Sequence, residues 1–525
     1  MPAASVQTTV IDQSNRVNSS STINAGIVIA AKKGEVNTPI LVPSQTAFLR
    51  KFTPNEKIEI GWDGAIYEAF KYLETAGRLY VVRACSETAK YGACLVKLAS
   101  SADVNISVGA GFAKPEDYVF ENEDDAILIY GANQGAWNND ISITITTDPK
   151  VVKLAQAFIL KVYKKGVLIE THTCSLNPSL KNGYGVNCFV ETVLEGSNYV
   201  RAISNALAND DGTYPIPKAN EERVALKGGD DGDAVTDADR IRALKTLSNV
   251  NNIPLQLVMD GGNTTVEYHK AINDLCETRG DSCHGILSTR YEDEMNADKV
   301  GALKKYRNEE LNLNSYNCEL YTPHQKIYDE FNDRYLYVSP SCFVASLIAK
   351  YGESLGYHWA VAGYSRGIVD SIDVATTFEP EEVDELSDNQ INTIIKDPGF
   401  GNVIWDELTL QSTASDMQDG HISRYVNLYL RPKLKEALKP FLFEFNDETT
   451  RALIVKVLDI FMQPQKSARA VYDYKIVCDE TNNTDSDSQN NILYSWLYIK
   501  ATKISKFIKQ QIIVTPYSVE LSDLG

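Results

Sequence analysis

The sequence predicts a multidomain chain of mixed α/β and α+β class. A central α/β core is interrupted by an inserted, mostly β domain and followed by an α+β C-terminal domain. Three observations carry this reading. Between residues 254 and 321 short apolar runs alternate with helix-length segments, the pattern of a parallel sheet with right-handed crossovers. From Ile127 to Thr173 that pattern gives way to period-2 segments separated by turn residues. Near the end, Leu453, Ile454, Val457, Leu458 and Phe461 mark an amphipathic helix, and Val471 to Val477 then alternates as a half-buried strand. At 525 residues the chain exceeds what one hydrophobic core supports.

Residues 1–24 are rich in Ser, Thr, Asn and Val, with Val6, Thr8 and Val10 alternating and no core-sized apolar content. Such a segment is either disordered or a strand that borrows its neighbours. Gly26 to Ala31 reads as a buried strand closed by Gly34, and Gly61 to Leu73 as a helix with Ala65, Ile66, Ala69, Phe70 and Leu73 on one face. Gly77 suits the left-handed position after that helix, and Leu79 to Arg83 is a second strand.

The insertion is placed from Ala99 to residue 222. Within it Ile127 to Tyr130 and Ile141 to Thr146 are strands around the turn Gly131 to Asp140, and Phe158 to Tyr163 with Val167 to Thr173 form a hairpin about Gly166. Gly228 to Asp233 invites a calcium reading, but its spacing fits neither an EF-hand nor a nonapeptide repeat, so it is read as a flexible return linker. Helices at Ile241–Leu247, Val266–Arg279 and Ala297–Leu311 then alternate with strands at Pro254–Met259, Gly285–Ser288 and Tyr316–Tyr321. Gly261 and Gly262 follow a strand as in nucleotide sites, yet no G-x-G-x-x-G or G-K-[ST] is present there, and a plain turn fits better.

Gly363, Tyr364, Ser365, Arg366 and Gly367 satisfy G-x-S-x-G, the nucleophile elbow of α/β-hydrolases, behind the apolar run Trp359 to Ala362. A hydrolase also needs an acid and then a histidine downstream. The only later histidine, His421, is read in a polar loop, and Gly367 to Val374 makes a poor helix. A structural turn is the favoured reading, with a hydrolase using Ser365 the distant alternative.

The run Tyr472, Asp473, Tyr474, Lys475, Ile476, Val477, Cys478, Asp479, Glu480, Thr481, Asn482, Asn483, Thr484 is a strand halted by side chains that bond their own backbone. It resembles the "YxYxVVCDxTNNT" strand and turn in the C-terminal domain of contractile tail sheath proteins of bacteriophages, where a second strand follows, here Ile492 to Ile499. Phe441 to Asp447 is similar to the family's "FEpNd" strand and helix start, with Asn446 or Asp447 as N-cap. The strand, Gly turn, helix and "YVVRA" order of residues 26–86 resembles its opening module. Gly131 to Ile141 resembles its "GawGNdi" turn, with Asn138 where Gly is usual, and Ser197 to Val200 its helix start closing a surface domain. Trp359 to Gly367 resembles its "W…aGy.RG" segment.

The resemblance implies a structural subunit and no enzyme or cofactor: hexameric rings stacked around a tail tube, which contract to drive the tube through the host envelope. It implies a linker arm at 1–24, a core at 25–98 and 223–400, a surface domain at 99–222, a C-terminal domain at 401–510 and an arm at 511–525. The arms would exchange strands through Val6, Thr8, Val10, Ile512, Ile513 and Val514, onto an acceptor built from Tyr472, Tyr474, Ile476, Cys478, Asp479, Asn482, Asn483 and Thr484. Implied partners are further copies of the chain, the tube, baseplate and tail terminator proteins. The particle would be a virion assembled in the host cytoplasm, or a phage-tail-like bacteriocin or injection system.

Composition is compatible with this. A net charge of −19 argues against gripping nucleic acid. No run approaches the roughly 18 apolar residues of a membrane span, and the start MPAASVQTTV lacks a signal peptide's basic and apolar regions, which argues against an exported surface-layer protein. From His421 to Pro440, however, Arg424, Arg431, Lys433, Lys435 and Lys439 face only Glu436, and Lys500 to Lys509 holds four lysines and no acid. These are either solvated helix faces or a surface toward an acidic partner; by the resemblance, the inner wall against the tube. Nine cysteines form no C-x-x-C pair and no zinc spacing, so reduced core residues are the default, with disulfides left open.

Overall fold

A computed structural model describes residues 23–206, 214–280 and 282–511. The chain divides into two compact units between Pro432 and Lys433. The candidate arm residues Val6, Thr8, Val10, Ile512, Ile513 and Val514 lie outside the described residues.

The first unit opens on β1 (Ala25–Ile29), buried throughout, β2 (Ile40–Val42) and β3 (Leu79–Arg83). The helix between them runs Gly64–Thr75 rather than from Gly61, because Asp63 caps it: its carboxylate accepts from Ala65 N at 3.4 Å, and also from Ala30 N at 2.8 Å. Ala65, Ile66, Ala69 and Leu73 are buried as expected. Tyr67, Glu68 and Tyr72 are buried too, since the helix Ser341–Ser354 packs against this one. Gly77 is not a left-handed cap; the helix ends at Ala76 in an extended conformation (φ −127°, ψ 132°) that needs no glycine.

The insertion begins earlier than Ala99. β4 (Tyr91–Lys97), β5 (Ile106–Phe112), β6 (Asp125–Gly131) and β10 (Val200–Ser204) form one antiparallel sheet, ordered β10-β6-β4-β5. β7 (Ile141–Thr146), β8 (Ala157–Lys164), β9 (Val167–Ser175) and β11 (Asn220–Ala225) form the second, ordered β11-β7-β8-β9. One core, including Val96, Ile127, Ile129, Ile143, Phe158 and Leu160, lies between them. Tyr91–Lys97 reads like any buried strand, so composition alone could not assign it to this domain. Ser197 to Val200 does not open a helix. Ser197 Oγ accepts from Tyr199 N and Val200 N, both at 3.1 Å, and that turn feeds β10, which pairs antiparallel with β6. Asn138 is fully buried; its amide donates to the Asn133 carbonyl at 3.0 Å and its side chain fills the space in front of Gly131. The return segment Gly228 to Asp233 is stitched down: Asp231 accepts from Ala136 N at 2.9 Å and pairs with Lys32 at 3.0 Å, and Asp233 accepts from Thr88 at 3.0 Å.

The core resumes with β12 (Leu257–Met259), β13 (His284–Ser288) and β14 (Cys318–Thr322), then β15 (Gln325–Asp329), β16 (Arg334–Val338), β17 (Ile368–Val369), β18 (Asp373–Val374), β19 (Asn392–Asp397) and β20 (Gly401–Ile404). The main sheet has nine strands in the order β17-β20-β19-β14-β13-β12-β1-β3-β2; the six from β19 to β3 are mutually parallel and the edges antiparallel. β15, β16 and β18 form a small separate sheet. Because β20 belongs to the main sheet, an expected core boundary at 400 cuts through the β19–β20 hairpin and is corrected. The helix expected at Ala297–Leu311 starts at Lys299 under an Asp298 cap and loosens into a π-helix over Tyr306–Leu311. The turn Gly261-Gly262 is confirmed as a turn, with φ of +64° and +71°. Among the described residues no helix is long and apolar enough to cross a membrane.

The second unit opens within the helix Arg431–Leu438 and contains the helix Glu448–Ser467 and the antiparallel pair β21 (Val471–Val477) and β22 (Trp496–Ala501). The strand expected at Ile492 starts at Trp496, because a short helix, Asp485–Gln489, occupies the connection. Phe441 to Asp447 forms no strand: a 3-10 turn, Lys439–Phe441, leads into Phe443 at φ +69°.

Candidate functional site: the C-terminal sheet and its anchor

Asp447, not Asn446, caps the helix Glu448–Ser467, accepting from Thr450 N at 2.8 Å. The buried stripe is Ile454, Leu458 and Met462; Leu453, expected inward, is exposed. Ile454 and Leu458 pack with Ile476, Cys478, Leu434 and Leu438, each fully buried aliphatic contributing about 1.5–3 kcal/mol relative to exposure. Tyr474 lies along the same helix, its hydroxyl donating to Asp459 at 2.6 Å; desolvation and that carboxylate push the phenol up to about 12.

The Asp479 to Thr484 turn fixes where the chain returns. Asp479 Oδ1 accepts from Thr481 N at 2.8 Å. Asn482 donates to the Val477 carbonyl at 2.9 Å and Asn483 to the Tyr494 carbonyl at 2.9 Å, while Asn483 Oδ1 accepts from Tyr494 N at 2.7 Å. Two buried asparagines thus tie the end of β21 to the approach of β22. Thr484 then caps the connecting helix in a capping box with Asp487. β21 and β22 pair only with each other among the described residues. Their outer edges therefore carry unpaired backbone donors and acceptors. Tyr472, Trp496 and Tyr498 are exposed, as are Phe443, Phe445, Phe507 and Ile508 elsewhere in the unit.

The basic candidates separate. Lys435 and Lys439 are exposed, and Lys433 pairs with Glu436 at 3.2 Å on the helix Arg431–Leu438. Arg431 is exposed and donates to Asn427 at 3.3 Å. Arg424 is not a surface cation: it is 1% exposed in the first unit. It bonds Glu319 on β14 at 2.6 Å and Glu407 at 2.5 Å. His284 on β13 meets Glu319 at 2.9 Å, His421 meets Glu407 at 3.3 Å, and Glu407 accepts from Val361 N at 3.0 Å. Burial alone would raise the Glu319 carboxyl, but Arg424 and His284 hold it down at about 2. The network bolts the helix Gly420–Arg424 to the main sheet. Sequence spacing missed it because the partners lie up to 105 residues apart.

The same network answers the G-x-S-x-G segment. His421 sits on a helix, not in a polar loop, and is buried against Glu407, whereas Ser365 is exposed on a turn. That turn is closed by Gly367 N to Gly363 O and Gly363 N to Ile404 O, each 2.8 Å, with Arg366 over the Trp359 ring at 4.8 Å. No hydrogen bond joins Ser365 to a histidine among the described residues. A second buried cluster went unread: Asp260 Oδ2 meets His269 at 3.1 Å, His269 meets Tyr306 at 2.6 Å, and Glu68 accepts from Ser341 at 2.9 Å.

Residues 412–513 match the phage tail sheath C-terminal domain family. The tail sheath protein of Vibrio phage KVP40 is 26% identical over 394 residues, 70% of this chain and 56% of that protein. That of Enterobacteria phage T4 is 24% identical over 388 residues, 70% of this chain and 57% of that protein. The chain thus spans a little over half the length of the curated relatives it matches. Among solved structures, a sheath tail protein of Listeria innocua superposes with a TM-score of 0.58 at 12% identity, covering 91% of this chain and 95% of that one. The anti-feeding prophage baseplate in its contracted state gives a TM-score of 0.54 at 13% identity, covering 99% of both chains. The chain is thus similar in sequence to tail sheath proteins, has the fold of solved sheath proteins, and over residues 412–513 matches the sheath C-terminal domain family.

Proposed function

We propose that this chain is the structural subunit of a contractile tail sheath and not an enzyme. It polymerises as stacked hexameric rings around a tail tube and contracts to drive the tube through a host envelope. The observation that carries the reading is the β21–β22 pair, which has no further strand on either edge among the described residues, inside the segment that matches the sheath C-terminal domain. Extended arms, residues 1–24 and 511–525, would add strands to such edges on neighbouring copies. Main-chain hydrogen bonds would supply affinity and alternate side chains register. Exposed Phe443, Phe445, Phe507 and Ile508 suit a unit that is covered in a polymer. Domains would follow the topology, with the main sheet as core and the two inserted sheets as surface domain. Partners would be the tube, baseplate and terminator, in a virion assembled in the host cytoplasm.

The sheath of an injection system or bacteriocin is the second reading, favoured by the likeness to the anti-feeding prophage baseplate. Neighbouring genes for a capsid and a terminase separate the two. Electron microscopy of the purified chain tests the common claim: contracted-sheath-like tubes are expected, and a soluble monomer after deletion of residues 1–20. Normal polymers from the truncated chain would refute the arm mechanism.

A further inference from the structure

Three thiols meet beneath the main sheet. Cys276 is in the last turn of the helix Val266–Arg279, Cys283 precedes β13, and Cys318 is on β14. All three are buried and free. Cys276 Sγ lies 3.2 Å from Cys283 Sγ, inside ordinary sulfur–sulfur contact, and Cys318 Sγ donates to Asn273 Oδ1 of the same helix at 3.8 Å. Gly285 makes the room: a Cβ there would lie 2.8 Å from Cys318 Sγ. Drawing the two sulfurs from 3.2 Å to a bonding distance of about 2.05 Å closes a gap of only about 1 Å.

We propose that Cys276 and Cys283 are a dithiol that closes to an intrachain disulfide once the protein meets an oxidant, locking the corner between this helix and β13. With hydrogen peroxide as the two-electron oxidant, one thiolate attacks a peroxide oxygen, giving a sulfenic acid and hydroxide, which takes up the proton that thiol released. The second sulfur then displaces the sulfenic oxygen, its own proton leaving with that oxygen as water. Two thiols and one peroxide give one disulfide and two waters. The corner matters because Arg279, between the two cysteines, donates to the Ile253 carbonyl at 2.9 Å and so holds the loop before β12. Hydrogen bonding to Cys283 and Cys318, together with burial, keeps Cys276 in the thiol form, so closure is slow at neutral pH and quickens as pH rises.

The full-length chain is treated with millimolar peroxide, alkylated under denaturing conditions and mapped by mass spectrometry. The expected result is a loss of about 2 Da per chain, a Cys276–Cys283 cross-linked peptide, seven alkylated cysteines in place of nine, and a higher melting temperature that dithiothreitol reverses. Cys318→Ser keeps the link and Cys283→Ser abolishes it. A folded wild-type chain that retains nine alkylatable thiols, or whose link joins Cys276 to Cys318, overturns the proposal without recourse to any variant.

Discussion

Arg424 and Glu319 meet at 2.6 Å with neither side chain more than 1% exposed, one on the helix Gly420–Arg424 and the other on β14. Removing one partner of a buried pair leaves the other charged and desolvated, at a cost of about 3–5 kcal/mol. Arg424→Ala is therefore expected to lower the urea midpoint of the first unit sharply. Because Glu319 is held at about 2, below its ordinary value of 4.5, its contribution is present above about pH 4.5 and lost as pH falls toward 2. Acid titration followed by circular dichroism should show wild type losing stability through that window and the variant, already lacking the pair, losing less.

Local pattern was enough where an element is defined by its own residues. The alternation from Val471 to Val477 and the buried run from Leu79 to Arg83 became strands with those bounds. It failed where meaning depends on distant neighbours. A charge count places Arg424 with Lys433, but its carboxylates come from β14 and from Glu407, and only the folded sheet brings them to it. Ser197 shows the same limit, since a hydroxyl accepting two backbone N–H groups precedes helices and turns alike, and pairing with β6 decides for a strand.

Glu68 carries the opposite pH sign. Burial, and then the charge of Asp260, push its carboxyl well above 4.5. Its proton binds more tightly in the folded state, so the stability it confers is full below about pH 4.5 and lost as pH rises toward the folded value. Glu68→Gln keeps an acceptor for Ser341 and removes the buried charge. The variant should match wild type in acid and melt higher in mild alkali; equal melting temperatures at every pH would show that the fold leaves the Glu68 carboxyl at its ordinary value.

The turn at Gly363–Gly367 predicts a ranking. A Cβ at Gly367 would lie 2.9 Å from Gly363 N, Gly363 O and Val361 O, and Gly363 sits at φ +77° with open space around it. Gly367→Val should therefore damage folding most, Gly363→Val should cost about 1–2 kcal/mol through backbone strain, and Ser365→Ala should be neutral. Thermal melts of the three variants check the order, and loss of ester hydrolysis in Ser365→Ala with an intact fold would reinstate the hydrolase.

Arg431, Lys433, Lys435 and Lys439 remain the candidates for an inner wall once Arg424 is removed from that set. The packing of this helix is carried by Leu434 and Leu438, so the lysines can be changed without touching the core of the second unit. Exposed pairs contribute only about 0.2–1 kcal/mol each, but repetition around many rings multiplies a small preference into a choice of state. Complementarity of this kind sets register and encounter more than affinity, which suits a sheath that must release its tube as it contracts. Reversing all three to Glu is expected to leave the chain folded and its tube-free polymers intact, while assembly of the extended state on the tail tube fails. Raising salt should weaken the same step in the unaltered chain, because a contact between exposed charges is screened beyond about 10 Å at 0.1 M. Extended tails built by the triple variant as well as by the parent at low salt would reduce these lysines to a solvated helix face and move the inner contact to Lys500–Lys509, a segment whose own sequence holds four lysines and no Asp or Glu.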